Sequence, residues 1–249
     1  MRYEIRGQTT PVLEVSLSPG EQVVAESGEL SWLAGPVELT TAKNAGMSGG
    51  GFFSAAKRAL GGGTFFMTSY SVPSGEGAVS FAAKAPGEMR ELTLDGSRDY
   101  IVHRHGFVCC EPGVELGVFM QKKLGAGIFG GAGFLLQKLS GQGKAYIELH
   151  GNVVEYDLAA GQQLRAHPGH LGLFESTVSL ELTTVKGIKN KLFGGDGLFL
   201  ASLTGPGKVW LQTTSLAALA AALQPYIVTE TAGQAGVVAG GIGLGKMLE

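Results

Sequence analysis

Phe129-Gly130-Gly131-Ala132-Gly133-Phe134-Leu135-Leu136 is the stretch of sequence that decides the fold. It recurs 64 positions later as Phe193-Gly194-Gly195-Asp196-Gly197-Leu198-Phe199-Leu200. A weaker copy precedes both, as Leu60-Gly61-Gly62-Gly63-Thr64-Phe65-Phe66-Met67. Each copy is a Gly-rich turn that runs into apolar residues. A motif that returns at a fixed interval indicates internal repeats, each of them one supersecondary unit.

A second pattern follows each copy, a Gly-X-Gly turn and then a strand that alternates apolar with small or polar residues. The three instances are Gly75–Phe81, Gly141–Ile147 and Gly205–Leu211. Their glycines supply the positive φ angles that tight hairpin turns need. Leucines at matching upstream places, each followed by a Gly-containing turn, extend the repeat: Leu17, Leu94 and Leu158.

These intervals predict one β-rich domain over residues 1–249, built of three repeats. The repeats span residues 12–88, which carry a loop insertion, 89–152 and 153–217, and a Gly-rich apolar tail covers 226–249. Short strands between frequent turns predict an all-β fold, and we expect the repeats to share a core around a pseudo-threefold axis. One late, short α-helix is predicted after Ser215 as N-cap, because leucines recur at helical spacing until Pro225.

The composition excludes several classes of protein. The 249 residues are 44% apolar, and the formal net charge of −2 gives no general drive towards nucleic acid. Cys109 and Cys110 are neighbours, which is no disulfide framework and favours a reducing cytoplasm. The first residues lack the apolar core of a signal peptide, and no apolar run is long enough for a spanning helix. We therefore expect a cytoplasmic protein, with association to a membrane surface left open.

Three features together resemble a known family: Ser31-Trp32-Leu33, the Gly-rich turns, and Thr204–Thr213 with its Gly-Pro-Gly-Lys-Val-Trp segment. The family is the bacterial one related to the altered-inheritance-of-mitochondria, or mitochondrial biogenesis, proteins. Over residues 3–228 this resemblance implies three β-sandwich or double-stranded β-helix-like units, similar to the tryptophan RNA-binding attenuation protein (TRAP-like). It implies no established activity and no catalytic residues. Mitochondrial relatives are linked to organisation of the inner membrane, but the sequence shows no transit peptide.

Histidine is the first candidate for chemistry. His103-Arg104-His105 would place two imidazoles on one face of a strand, as cupin-like metal enzymes do, with His150, His167 and His170 as further candidates. The repeat places these further histidines apart from one another, and no nearby Glu completes a set of metal ligands. We therefore predict that His103 and His105 bind no metal. A cupin-like, metal-dependent enzyme centred on these two histidines stays as an alternative.

No other pattern predicts catalysis. Cys109 and Cys110 lie in an apolar run typical of buried cysteines, and Glu111 and Glu175 align between repeats, which favours a shared structural role. The Gly-rich turns lead into strands and not into a helix, so they predict no phosphate site. We expect no enzyme, no cofactor and no nucleic-acid partner. RNA binding, by analogy with the fold relative, is a second alternative.

One pattern favours a binding surface. A short basic and apolar stretch precedes each Gly-rich turn, and about a third of all Lys and Arg residues fall in these stretches. The candidate residues are Phe52, Phe53, Lys57, Arg58, Lys122, Lys123, Lys186, Lys189 and Lys191. A pseudo-threefold axis would gather them at one end of the molecule, where they suit an anionic membrane or a protein partner. The plainer interpretation is ordinary hairpin loops. We therefore expect a non-enzymatic binding or scaffold protein of unknown ligand. A homo-oligomer is compatible with this expectation.

Overall fold

The regular structure of the described residues is almost entirely β-strand. A computed structural model describes residues 1–43, 66–119, 136–184 and 199–227. Within these ranges it contains 18 strands, one α-helix and two short 3-10 helices. The prediction of an all-β fold with one short late helix is confirmed.

The strands follow one another in three segments of the chain, which we call the first, second and third segments (12–88, 89–152 and 153–217). Before and within the first segment lie β1 Arg2–Arg6, β2 Val12–Leu17, β3 Gln22–Glu26, β4 Trp32–Ala34, β5 Glu38–Lys43, β6 Phe66–Ser71 and β7 Gly77–Ala82. The second contains β8 Gly87–Asp95, β9 Tyr100–His103, β10 Phe107–Cys110, β11 Val114–Phe119 and β12 Leu136–His150. The third contains β13 Val153–Leu158, β14 Gln163–Ala166, β15 Leu171–Glu175, β16 Ser179–Thr184, β17 Phe199–Thr204 and β18 Gly207–Gln212.

The helical elements are few and short. Helix α1, Leu216–Leu223, begins after Ser215, whose side chain accepts a hydrogen bond from the Ala218 N–H, as predicted for an N-cap. The 3-10 helices are Pro168–His170 and Gln224–Tyr226, and the second of these contains Pro225 directly after α1.

Strand pairing follows the intervals read from the sequence. Leu17, Leu94 and Leu158 pair with Gly77, Gly143 and Gly207 respectively. The pair Leu164↔Leu203 lies 64 residues after Tyr100↔Leu139. The sequence also predicts that residues 89–152 and 153–217 superpose strand for strand; this superposition and the pseudo-threefold axis stay predictions.

The Gly-X-Gly turns differ from expectation. Gly75, Gly141 and Gly143 have the predicted positive φ angles, but the turns do not close hairpins. The strands on either side of each turn pair with different partners: β6 with β3 and β5, and β7 with β2 and β4. In the second segment Gly141-Gln142-Gly143 lies inside the continuous strand β12. Each turn therefore connects strands that belong to different groups of paired strands. The strands on its two sides pair with other strands and not with each other.

Two junctions join the segments. Strand β10 pairs with β3 of the first segment (Cys109↔Ala25), and β15 pairs with β9 of the second (Leu173↔Val102). They create two six-stranded arrays that share β12, in the orders β8-β12-β10-β3-β6-β5 and β13-β18-β15-β9-β12-β11. The remaining strands form two separate sheets, β1-β2-β7-β4 and β14-β17-β16.

The core consists of three apolar clusters, one of them centred in each segment. Large side chains fill them almost completely, among them Tyr70 and Phe81 in the first, Phe107 and Ile147 in the second, and Phe174 in the third. Alternate burial along β2 shows why these sequences form strands, since every second side chain enters the core.

Candidate functional site

The nine candidate binding residues lie outside the described residues. They fall in three chain segments, 44–65, 120–135 and 185–198, which we call the basic connections. Each basic connection joins two antiparallel strands that pair directly with each other: β5 with β6, β11 with β12, and β16 with β17. The pairs next to the connections are Lys43↔Phe66, Phe119↔Leu136 and Thr184↔Phe199. The interpretation of these stretches as hairpin connections agrees with the pairing, and their gathering at one end stays a prediction.

The histidine pair does not have the expected geometry. Strand β9 ends at His103, and a turn closed by the Gly106 N–H on the His103 carbonyl (2.9 Å) follows, so His105 lies outside the strand. The His103 Nε2 lies 3.0 Å from the Glu148 carbonyl oxygen. Burial lowers the pKa of His103 to about 4, which keeps its imidazole neutral. Across the described ranges, no three His, Cys, Asp or Glu side chains are arranged to hold a metal ion.

A buried polar cluster surrounds His103, and sequence reasoning missed it. The His150 ring lies 5.1 Å from that of His103, and neither His150 nitrogen has a hydrogen-bond partner in the described structure. Glu148 Oε1 lies 3.8 Å from His150 Nε2 and 3.9 Å from Lys84 Nζ, while Lys84 also pairs with Glu29. The sequence held no signal for it, because Lys84 is 64 residues from Glu148 along the chain.

The electrostatics of this cluster follow from burial and from Lys84. Burial raises the pKa of Glu29 despite its pairing with the Lys84 ammonium. Burial acts in the same direction on Glu148, but contacts with His150 and with the N–H and ammonium of Lys84 hold its pKa below the usual value. The cluster is thus a partly compensated charge network that reaches the surface at Lys84, and among the described residues it is not arranged to hold a metal ion.

The cysteines are not placed for nucleophilic chemistry. Both are free and buried in β10. Burial raises the pKa of Cys110 to about 12 and that of Cys109 well above its usual value. A thiol with a raised pKa is a poor source of the reactive thiolate.

Glu111 and Glu175 each accept a hydrogen bond from a backbone N–H group of a strand in their own segment. Glu111 Oε2 accepts the Lys144 N–H at 2.9 Å, and Glu175 Oε2 accepts the Lys208 N–H at 3.0 Å. A Cβ on Gly143 would lie 2.9 Å from the carboxylate of Glu111, and one on Gly207 would lie 3.1 Å from that of Glu175. The second glycine of the Gly-X-Gly turn therefore leaves room for the carboxylate in the second and third segments, and we call this carboxylate with its backbone N–H partner a carboxylate latch.

The first segment lacks the latch and has a cleft instead. In the paired positions, Ala34 stands where Glu111 and Glu175 stand, and it pairs with Ala78. A cleft of about 530 Å³ opens here, lined by Ala34 and Ala78 together with Arg2, Glu21 and Glu76 among others. Sequence reasoning missed the cleft because it depends on two side chains being small.

The described part of the chain has no helix long and apolar enough to cross a membrane. Strand pairing, the carboxylate latches and the two inter-segment junctions define the class of protein: an antiparallel, multi-sheet β-protein with corresponding strand pairs in successive segments.

The chain belongs to a known family. The family model described as "Mitochondrial biogenesis AIM24" matches residues 3–214, which confirms the resemblance read from the sequence. A crystal structure of protein SPYM3_0169 from Streptococcus pyogenes, a structural-genomics target, is similar, with a TM-score of 0.70 and 20% identity. The alignment covers 91% of this chain and 99% of that one, and at this identity it shows the fold alone. A comparison with curated proteins gave no match.

Proposed function

We propose that the protein is a non-enzymatic scaffold that binds an anionic membrane surface through its three basic connections. The observation that carries the proposal is the distribution of charge along the chain. The basic connections contain seven of the 19 Lys and Arg residues but one of the 21 Asp and Glu residues. Their net charge is therefore +6, and the rest of the chain carries −8.

The cations of the folded body are largely used within it. Seven Lys and Arg side chains of the described residues form ion pairs with carboxylates: Arg6, Lys84, Arg90, Arg98, Lys138, Lys144 and Lys208. The basic connections contain Asp196 as their one carboxylate, so they cannot neutralise themselves in the same way. Three chain segments with a net positive charge favour an anionic partner, and the negative charge of the rest of the chain is screened by salt and does not oppose its approach.

The strand pairing supports the proposal for each connection separately. Each basic connection leaves and re-enters the sheet at directly paired residues, so its two ends lie at the same end of one strand pair. In sequence, Phe52 and Phe53 lie within five residues of Lys57, and Leu124 directly follows Lys123; these apolar side chains suit shallow burial at a lipid interface.

Enzymatic alternatives have less support. The family match indicates no catalytic activity, the thiols of Cys109 and Cys110 are buried, and His105 lies outside the strand that carries His103. The cupin-like alternative therefore has no geometric support among the described residues. RNA binding rests on fold analogy alone.

Vesicle sedimentation tests the proposal. The test variant changes Lys57, Arg58, Lys122, Lys123, Lys189 and Lys191 to Ser, and the control changes the exposed Arg2, Arg104 and Arg165 of the body to Ser. Each Lys or Arg near an anionic bilayer contributes about 1 kcal/mol. We expect the wild type and the control to sediment with anionic vesicles and not with neutral ones, and the test variant to stay in the supernatant. Equal sedimentation of all three proteins with anionic vesicles would show that the basic connections do not carry the binding, and absence of wild-type binding would remove the membrane role.

A further inference from the structure

The two junctions between segments are formed by equivalent strands, which pair in the same register. In the first junction Cys109 pairs with Ala25 and Cys110 with Val24. In the second Leu173 pairs with Val102 and Phe174 with Ile101. In each case the third strand of one segment (β10 or β15) adds to the second strand (β3 or β9) of the segment before it. The intervals of 77 and 64 residues that relate the segments carry one junction onto the other.

A third junction of this type is absent from the described residues. Its two halves are present as β4 of the first segment and β14 of the third, but each lies at the end of its own sheet. Other edge strands differ in this respect, because β5, β11 and β16 end their arrays in all three segments. Strands β8 and β13 are also free on the side where their counterpart β2 pairs with β1, so β4 and β14 are the edge strands whose counterparts pair with a strand of another segment in the described structure.

Shifting the observed register gives the missing pairs. By the same intervals Trp32 would face Ala166, Leu33 would face Arg165, and Ala34 would face Leu164. The arrangement is antiparallel, as in the two existing junctions. It would join the two separate sheets into one seven-stranded array in the order β1-β2-β7-β4-β14-β17-β16, whose last six strands correspond to those of the two existing arrays.

Exposed apolar side chains lie on β4 and in the helical elements connected to the end of β14. On β4, Trp32 is 50% exposed. After β14, the 3-10 helix Pro168–His170 is tied to the end of β18 by the Gln212 side chain, which donates to the Gly169 carbonyl at 3.2 Å. Helix α1 follows β18 and contacts this 3-10 helix; it has no fully buried side chain, and the residues after it include Tyr226, which is 83% exposed. Apolar exposure next to an unpaired strand is typical of an interaction surface.

We propose that the occupant of these edges is a second copy of this chain, with β4 of one molecule adding to β14 of the next. Unpaired N–H and C=O groups at a sheet edge are satisfied by an added strand, and the register of the two internal junctions supplies the match. The contact joins different surfaces of the two copies, so it is head-to-tail and builds a ring or a filament. It does not depend on the proposed membrane role.

Molar mass in solution gives the first test, with no vesicles present. We expect the wild type to exceed the monomer mass of 25.8 kDa in light scattering at micromolar concentration. Trp32→Glu places a charge on the β4 edge and should return the protein to monomer with an unchanged circular-dichroism spectrum. The control Val154→Glu, at an exposed position of the edge strand β13, should keep the wild-type mass. A monomeric wild type at about 1 mM would overturn the proposal.

A disulfide tests the register. Directly opposite residues of antiparallel strands have Cα atoms about 4.5–5.5 Å apart, within the range that a disulfide spans. Oxidised Ala34→Cys/Leu164→Cys protein should form covalent dimers and higher species, whereas the mismatched Ala34→Cys/Tyr156→Cys variant should not. The wild-type protein, in which Cys109 and Cys110 are both buried, is the control for disulfides formed by the native cysteines. A disulfide within one chain, or no disulfide between copies, would overturn the pairing.

Discussion

Loss of the carboxylate latch in the third segment should destabilise the fold measurably. The change is Glu175→Ala. The Glu175 side chain is 10% exposed, and its two oxygens have separate partners: Oε2 accepts the Lys208 N–H, and Oε1 accepts from Arg98 at 2.9 Å. The substitution therefore removes one hydrogen bond at the start of β18 and one ion pair at the surface.

The two losses differ in size. A hydrogen bond between a backbone N–H and a charged acceptor contributes about 1.5–3 kcal/mol, and the cost rises when the donor is left without a partner. The Arg98 side chain is 62% exposed, so its pair contributes about 1 kcal/mol at most. We expect Glu175→Ala to lower the free energy of unfolding by roughly 2–3 kcal/mol, which is about 4–12 °C in Tm for a chain of this size.

Thermal and urea denaturation followed by circular dichroism measure the effect. Two controls separate the partners: Arg98→Ala removes only the surface pair, and Glu175→Gln keeps an oxygen acceptor for the Lys208 N–H. We expect each control to cost about 1 kcal/mol or less. If Arg98→Ala proves as destabilising as Glu175→Ala, or if Gln restores nothing, the bond to the backbone is not what stabilises this strand.

Two further predictions concern the second segment. Burial lowers the pKa of His103 to about 4, whereas a histidine of the unfolded chain has a pKa of about 6.5. As the pH falls below about 6.5, the unfolded chain therefore binds a proton before the folded protein does. The free energy of unfolding should decline between pH 6.5 and 4, by about 3 kcal/mol at most. His103→Gln should flatten this decline in urea titrations at several pH values while the exposed His105→Gln changes it less; equal slopes for wild type and His103→Gln would contradict the assignment. A Cβ on Gly87 would lie 2.0 Å from the Leu149 carbonyl oxygen in the β8–β12 pair, so Gly87→Ala should cost roughly 1–3 kcal/mol in the same assay. The exposed Thr9→Ala nearby should be neutral, and a Gly87→Ala protein as stable as that control would show that the strands separate easily here.

The local features of the sequence predicted the strands better than their partners. Gly141 and Gly143 have the positive φ angles that the Gly-X-Gly pattern predicts, since that preference belongs to the residue itself. The prediction of hairpins at these turns was wrong because pairing depends on strands elsewhere in the chain. Alternation also suggested that His103 and His105 share a strand face, whereas the turn at Gly106 ends the strand between them.

The candidate sites show the same limit. Charge and glycine content mark the basic connections without any knowledge of the fold, and the structure adds which strands they join. The polar cluster of Glu148 and His150 could not be predicted, because its members come together only when β12 meets the chain near Lys84. The cleft at Ala34 is lined by small side chains, and no pattern of residues in the sequence predicts such a cleft.

The cleft, the missing latch and the free edge all belong to one strand. Glu111 directly follows β10, and Glu175 ends β15, and these are the two strands that make the junctions between segments. Each carboxylate ties the end of its junction strand to the neighbouring strand run through a backbone N–H. Strand β4 has three residues and ends at Ala34, so it has no such tie, and its partner of the junction type is not among the described residues. The latches act within a segment, because Lys144 and Lys208 belong to the strands that pair directly with β10 and β15. Strand β4 pairs with β7 without such a tie, and in the proposed contact its free side receives β14 of a second copy.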